Sequence, residues 1–190
     1  DSFYPRSGHS LTFVKNVVAP DGVTPLSQYL IWGGVSAANS APVAEVFRQS
    51  GSQLEGINGT FEQAAVNTYV PPELGQAAPP IPYTYFHEMT RMRGTCFAGA
   101  ASECFVMTGG VLASGGSLQA PRDDEAWLVA IDGSSPPRVV AQRLPGLGAG
   151  RVFHSALTAD GSTLTVVGGW NGLNAIQSDT IKFFSLAGET

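Results

Sequence analysis

Two His-Ser pairs carry the residue types that could do covalent chemistry. His9-Ser10 and His154-Ser155 each lie just beyond an arginine, Arg6 and Arg151. A histidine beside a serine is the composition of a base and its nucleophile. Both pairs fall in short runs, His9 to Val14 and Val152 to Leu157, whose Val, Thr, Leu and Phe content predicts β-strands. Neighbours along a strand point to opposite faces, so base and nucleophile do not meet. The expectation is structural: His and Ser hydrogen-bond backbone groups of a neighbouring turn, and no residue is catalytic. The two cysteines, Cys96 and Cys104, leave two readings open. If Phe97 to Glu103 forms a hairpin turn, they face each other within disulfide reach; otherwise they are two buried thiols.

These residues sit in a block that occurs three times in the same order. The first copy runs Arg6-Ser7-Gly8-His9-Ser10, then Leu30-Ile31-Trp32-Gly33-Gly34, then Glu45-Val46-Phe47. The second runs Arg93-Gly94-Thr95-Cys96, then Phe105-Val106-Met107-Thr108-Gly109-Gly110, then Asp124-Glu125-Ala126-Trp127. The third runs Arg151-Val152-Phe153-His154-Ser155, then Leu164-Thr165-Val166-Val167-Gly168-Gly169, then Asp179-Thr180-Ile181-Lys182-Phe183. A motif met once per copy is a poor design for one active site and a good one for packing repeated units.

The elements that must position these residues are strands. Tyr29 to Trp32, Cys104 to Thr108, Trp127 to Ile131, Leu164 to Val167 and Ile181 to Phe184 extend the list of β-rich runs, and no amphipathic helix is evident. With 23 Gly and 13 Pro, the chain has turn residues enough for many short strands. Asp160-Gly161 lies between two apolar runs and predicts a hairpin. Arg138 to Leu144 adds a fourth strand to the second copy, and Ala98 to Ser102 is its turn. Asn16 to Ser27 is expected as a long turn in the first copy, and Val70 to Pro82 as a polar insert before the second. At 43% hydrophobic and 13% charged, the chain can bury a core. A net charge of −5 gives no footprint for nucleic acid, and no apolar run is long enough for a membrane helix. The start at Asp1 reads as the interior or processed end of a longer protein. The sequon Asn58-Gly59-Thr60 tilts the compartment towards secretion, which is otherwise open.

Arg-x-x-His-Ser, double Gly, and an acid before an aromatic together resemble the kelch repeat, from about Arg6 to Ala187. The resemblance implies an all-β fold, with propeller blades of four-stranded antiparallel sheets and roughly 50 residues per repeat. Blade one would span about 6–70, blade two about 89–145, and blade three about 151–190, lacking its fourth strand. The departures are Cys96 in the place of a histidine, and Phe47 and Phe183 in the place of Tyr or Trp. Three blades do not close a ring, so the chain is expected to be part of a larger propeller.

In this reading His9, Gly33, Gly34, Gly109, Gly110, Trp127, His154, Gly168 and Gly169 are structural, with Phe47, Trp127 and Phe183 packing between sheets. Loops on one face would carry Arg6, Arg93, Arg122 and Arg151, with Trp170, Asn171 and Asn174. Each arginine either faces a partner or pairs with a carboxylate such as Glu45, Asp124 or Asp179. The expected function is a protein-interaction scaffold without cofactor or metal, its partner a protein or the remaining blades. One alternative is an extracellular carbohydrate-binding or carbohydrate-modifying propeller, with Trp170 stacking on a sugar ring. The other is a copper-radical oxidase-like propeller. For that, Phe153 stands where a Tyr would be needed before His154, and His9, His87 and His154 show no convergent ligand set.

Overall fold

The computed structural model describes residues 6–35, 43–50, 59–69, 84–93, 96, 103–114, 117–118, 126–132, 136–175 and 182–185. These form strands and no helix. In chain order the strands are β1 (Ser10–Val18), β2 (Pro25–Trp32), β3 (Ala44–Ser50), β4 (Gly59–Gln63), β5 (Ala65–Tyr69), β6 (Thr84–Tyr85), β7 (Glu88–Met92) and β8 (Glu103–Thr108). They continue as β9 (Val111–Ser114), β10 (Ser117–Leu118), β11 (Ala126–Ile131), β12 (Arg138–Arg143), β13 (Ser155–Thr158), β14 (Thr163–Val167) and β15 (Lys182–Ser185).

Three sheets repeat one plan. Sheet one is the antiparallel meander β1-β2-β3-β4. Sheet two is the meander β7-β8-β11-β12, with β5 added parallel to β12 at its outer edge. Sheet three is β13-β14-β15. A short ribbon, β10-β9-β6, stands beside sheet two. The register makes the sheets superimposable by residue. Ser10 pairs Trp32, Glu88 pairs Thr108 and Ser155 pairs Val167, each at the start of its meander.

Alternation along the strands divides the core into two layers. Leu30, Trp32 and Val46 of sheet one meet Met89, Phe105, Met107, Trp127 and Val129 of sheet two. The opposite face of sheet two, with Met92, Cys104, Val106 and Leu128, meets Leu164 and Val166 of sheet three. In each layer residues at even spacing on one strand face one neighbour, and the intervening residues face the other. The buried strand positions of these two layers follow from the period of two.

Three expectations are corrected. Asn16 to Ser27 is not a long turn: β1 and β2 run to Val18 and from Pro25, and only 19–24 connect them. There Asp21 accepts hydrogen bonds from the backbone N–H groups of Val23 and Thr24, which makes the turn compact. The first unit ends at Gln63, because Ala65–Tyr69 leaves it to pair with β12. Phe47 does not pack between sheets. It stacks within sheet one, on Tyr29 at 6.0 Å and Phe61 at 4.6 Å between ring centroids. Trp127 does lie between sheets one and two.

Cys96 and Cys104 form a disulfide, with their Cα atoms 5.6 Å apart, beside the layer between sheets two and three. Asp160 shapes the β13–β14 hairpin by accepting the N–H groups of Ser162 and Thr163, while Gly161 takes φ +81°. The turn 98–102, the insert 70–82, Asn58, Arg122, Asp124 and Asp179 lie outside the described residues, as does the side chain of Phe183. No helix among the described residues is long and apolar enough to cross a membrane.

Candidate functional site

The three histidines occupy one equivalent position, the residue before the first strand of each meander. His9 precedes β1, His87 precedes β7 and His154 precedes β13. Each follows a residue in the left-handed region: Gly8 at φ +70°, Phe86 at +59° and Phe153 at +54°. Only Gly adopts this backbone without strain, and the two Phe residues each cost about 1–2 kcal/mol. One residue earlier, Ser7, Tyr85 and Val152 pair antiparallel with Val35, Val111 and Trp170, the residues after the three double glycines. Each lead-in turn is thus tied to the double glycine of its own sheet.

The second lead-in turn is therefore Thr84-Tyr85-Phe86-His87, not Arg93-Gly94-Thr95-Cys96. Arg93 follows the last residue of β7, at the opposite end of sheet two, where its N–H reaches the Gly161 carbonyl. Cys96 holds the disulfide and not the place of a histidine.

The second and third lead-in turns also seat on the preceding sheet. His87 Nε2 lies 2.8 Å from the Ser10 hydroxyl, and the Gly34 N–H donates to the Thr84 carbonyl at 2.9 Å. His154 Nε2 lies 2.8 Å from the Thr108 hydroxyl, and the Gly110 N–H donates to the Arg151 carbonyl at 2.8 Å. His87 and His154 thus bond hydroxyls of the neighbouring sheet, in addition to backbone groups of Thr84 and Thr108. Ser10 and Thr108 are different strands' residues at one paired position, so either strand can supply the hydroxyl. The first glycine of each pair makes room for this seat. A Cβ on Gly33 would collide with the Thr84 carbonyl oxygen, and one on Gly109 with that of Arg151.

Burial sets the electrostatics. His87 is held neutral, its pKa pushed down to about 3 by burial first and then by His154 and His9. His154 is pushed down to about 4 by burial and the nearby Arg151 guanidinium. His9 is lowered in the same way, by burial and Arg6. His87 and His154 are thus buried, neutral rings held by hydroxyl partners, Ser10 and Thr108. Among the described residues no three His, Cys, Asp or Glu side chains converge as a metal would require.

The arginines separate into two kinds. Arg6 is buried, donates to the Gly33 carbonyl at 2.9 Å and pairs with the buried Glu45 carboxylate. Burial raises the Glu45 pKa more than the Arg6 charge lowers it. Arg151 is likewise fully buried and donates to the Gly168 carbonyl at 3.0 Å. Its Nε and Nη2 have no partner among the described residues. Neither arginine lines an exposed face, which corrects that expectation: both brace a double glycine from within. Sheet two has neither half of the Arg6–Glu45 pair. By register Thr84 stands for Arg6 and Trp127 for Glu45.

The exposed chemistry lies elsewhere. At the lead-in end of sheet three Phe153 is 67% exposed, Trp170 44% and Leu173 87%. Asn171 is engaged in its own turn, accepting the N–H groups of Leu173 and Asn174. At the opposite end a cleft of about 540 Å³ between sheets two and three is lined by Arg91, Arg93, Glu103, Thr158 and Gly161. There Arg91 pairs with Glu103 at 2.6 Å.

Sequence reasoning missed His87 as the second lead-in histidine. The signal was Tyr85-Phe86-His87, which parallels Val152-Phe153-His154 residue for residue. Compared with protein families, characterised proteins and solved structures, the chain matches none.

Proposed function

We propose that the chain is a segment of a kelch-type β-propeller that serves as a protein-interaction scaffold. The observation that carries the reading is the repeated junction. The lead-in turn of one meander, with its histidine, seats on the double glycine of the meander before it, at both junctions present. Successive units related by one repeated contact are what a ring of blades requires. The chemistry-bearing residues are consumed in these junctions, which leaves the surface to act by binding.

The partner-facing residues are those that differ between copies. Trp170 stands where Val35 and Val111 stand in the other two units, and Leu173 lies in the turn that follows it. Exposed apolar residues of this size at one end of a domain are the composition of an interface anchor. The turn-bound Asn171 Oδ1 is already occupied, which weakens a sugar site at Trp170. The test is affinity capture with the chain and with a Trp170→Ser/Leu173→Ser variant of unchanged circular dichroism. A stoichiometric protein partner captured by the first and lost with the second supports the reading. Equal capture by both refutes it.

A further inference from the structure

The cleft at the end of the sheets away from the lead-in turns lies inside the molecule's own array, because residues of both sheet two and sheet three line it. At about 540 Å³ it has the size of a small-molecule site. Arg91 and Arg93 come from β7 and the residue after it, Glu103 from the start of β8, and Thr158 and Gly161 from the β13–β14 hairpin. None of these residues belongs to the histidine junctions.

Arg93 is placed by its stem. Its N–H donates to the Gly161 carbonyl, and its Cβ, Cγ and Cδ lie so close over Gly161 that a Cβ there would collide with all three. Gly161, at φ +81°, therefore closes the hairpin and also leaves the space that the arginine stem fills. A stem held this way gives a preorganised guanidinium at the cleft wall. Arg93 is exposed and has no ion pair or side-chain hydrogen bond among the described residues. The Cys96–Cys104 bridge ties the segment after Arg93 to the residue after Glu103, which fixes the two groups on adjoining pieces of chain.

Glu103 supplies the complementary group. Its Oε2 accepts from Arg91 Nη2 at 2.6 Å, which neutralises one of the two arginines. Its Oε1 has no partner among the described residues. The Thr158 hydroxyl is already taken up by the Gly161 N–H at 2.8 Å. The cleft thus offers one uncompensated guanidinium as donor and one carboxylate oxygen as acceptor. An arginine fork matches a carboxylate or a phosphate through two parallel hydrogen bonds. Glu103, with Asp160 in the same hairpin as Gly161, repels a dianion more than a monoanion. A hydroxyl on the ligand satisfies the Glu103 oxygen.

We infer that this cleft is a binding site for a small hydroxylated carboxylate, of the class of the sugar acids, with its carboxylate on Arg93 and a hydroxyl on Glu103. The site stands apart from the scaffold reading, since it uses neither the junctions nor Trp170 and Leu173.

Calorimetric titration of the purified chain with glucuronate, glucose and glucose-6-phosphate tests it. Glucuronate is expected to bind with a dissociation constant of about 1 mM, the range open to a ligand of its size. Glucose, which lacks the carboxylate, should bind at least about tenfold more weakly. Arg93→Met keeps the stem over Gly161 and removes the fork, so it should weaken glucuronate at least about tenfold with circular dichroism unchanged. Arg138→Met removes an exposed arginine of β12 that does not line the cleft, and should leave binding as it is. Glu103→Gln removes the repulsion and frees Arg91, so it should raise the affinity for glucose-6-phosphate, which the native chain binds more weakly than glucuronate. No saturable glucuronate binding up to about 50 mM overturns the site, as does binding indifferent to Arg93→Met. Glucose bound as well as glucuronate, or glucose-6-phosphate preferred by the native chain, overturns the carboxylate class.

Discussion

Acidification from pH 7 to pH 5 should weaken the fold through His87 and His154. Both rings are buried, and their folded pKa values are held near 3 and near 4 against an ordinary 6.5. Below pH 6.5 the unfolded chain binds a proton at each ring that the folded chain refuses, so stability falls as pH falls. Each refused proton costs about 1.4 kcal/mol per pH unit below the unfolded value, which is about 2 kcal/mol per ring at pH 5. The loss continues until the folded values are reached, near pH 4 for His154 and near pH 3 for His87.

Together the rings cost about 4 kcal/mol at pH 5, a large part of the 5–15 kcal/mol typical of a domain. The window separates this effect from the carboxylates. Asp21 and Asp160 are held below their usual range by turn hydrogen bonds and act only at lower pH. Glu45 and Glu88 are raised by burial and so act with the opposite sign, favouring the fold as they protonate. Urea unfolding can be followed by the fluorescence of the buried Trp32 and Trp127. A His87→Gln/His154→Gln variant should show a flatter profile between pH 7 and 5. Equal stability of the native sequence at both pH values refutes the reasoning, as does an equally steep profile in the variant.

Arg6→Met strands the buried Glu45 carboxylate and should cost about 3–5 kcal/mol in urea unfolding. Arg6→Met/Glu45→Leu should cost less than the single change, because sheet two is built at the same positions with Thr84 and Trp127. Additive losses would show that the two side chains do not act as a pair. Gly109→Val should destabilise far more than Gly168→Val, since only the first places a Cβ against a carbonyl. Thermal denaturation of the two proteins side by side checks this. Reducing the Cys96–Cys104 bond, which spans a sequence separation of 8, should cost about 2–3 kcal/mol by the chain-entropy relation. A native mass that does not rise by two protons on reduction would remove the bond itself.

The strands were legible because their evidence is local. Alternation in Leu164 to Val167 reports the period of two, and burial follows it, while Cys104 to Thr108 is an unbroken buried run, as a strand covered on both faces reads. The Asp160-Gly161 hairpin was legible for the same reason, since a turn of a few residues is set by those residues. The extra edge strand β5 was not legible. Its pairing with β12 joins residues 65–69 to residues 138–142, and nothing within Ala65 to Tyr69 names that partner.

The second lead-in turn was missed for a more instructive reason, which is that its chemistry had moved across the sheet. Its arginine is replaced by Thr84, and the carboxylate that an arginine would need is replaced by Trp127, so the pair vanishes as a unit. The hydroxyl that holds the next histidine comes from Thr108, because Glu88 occupies the place of Ser10. Each exchange is neutral in space and invisible to a comparison made letter by letter. Arg93 preserved the letter and lost the place, while His87 kept the place without the arginine. The repeated unit is therefore a junction, made of a left-handed residue, a histidine, a hydroxyl on either of two paired strands and a glycine with room for a carbonyl. In the proposed reading, partner binding belongs to residues outside that set. Trp170 and Leu173 are among the exposed residues it does not use, and Gly168 and Ser155 are members of it without a junction partner among the described residues.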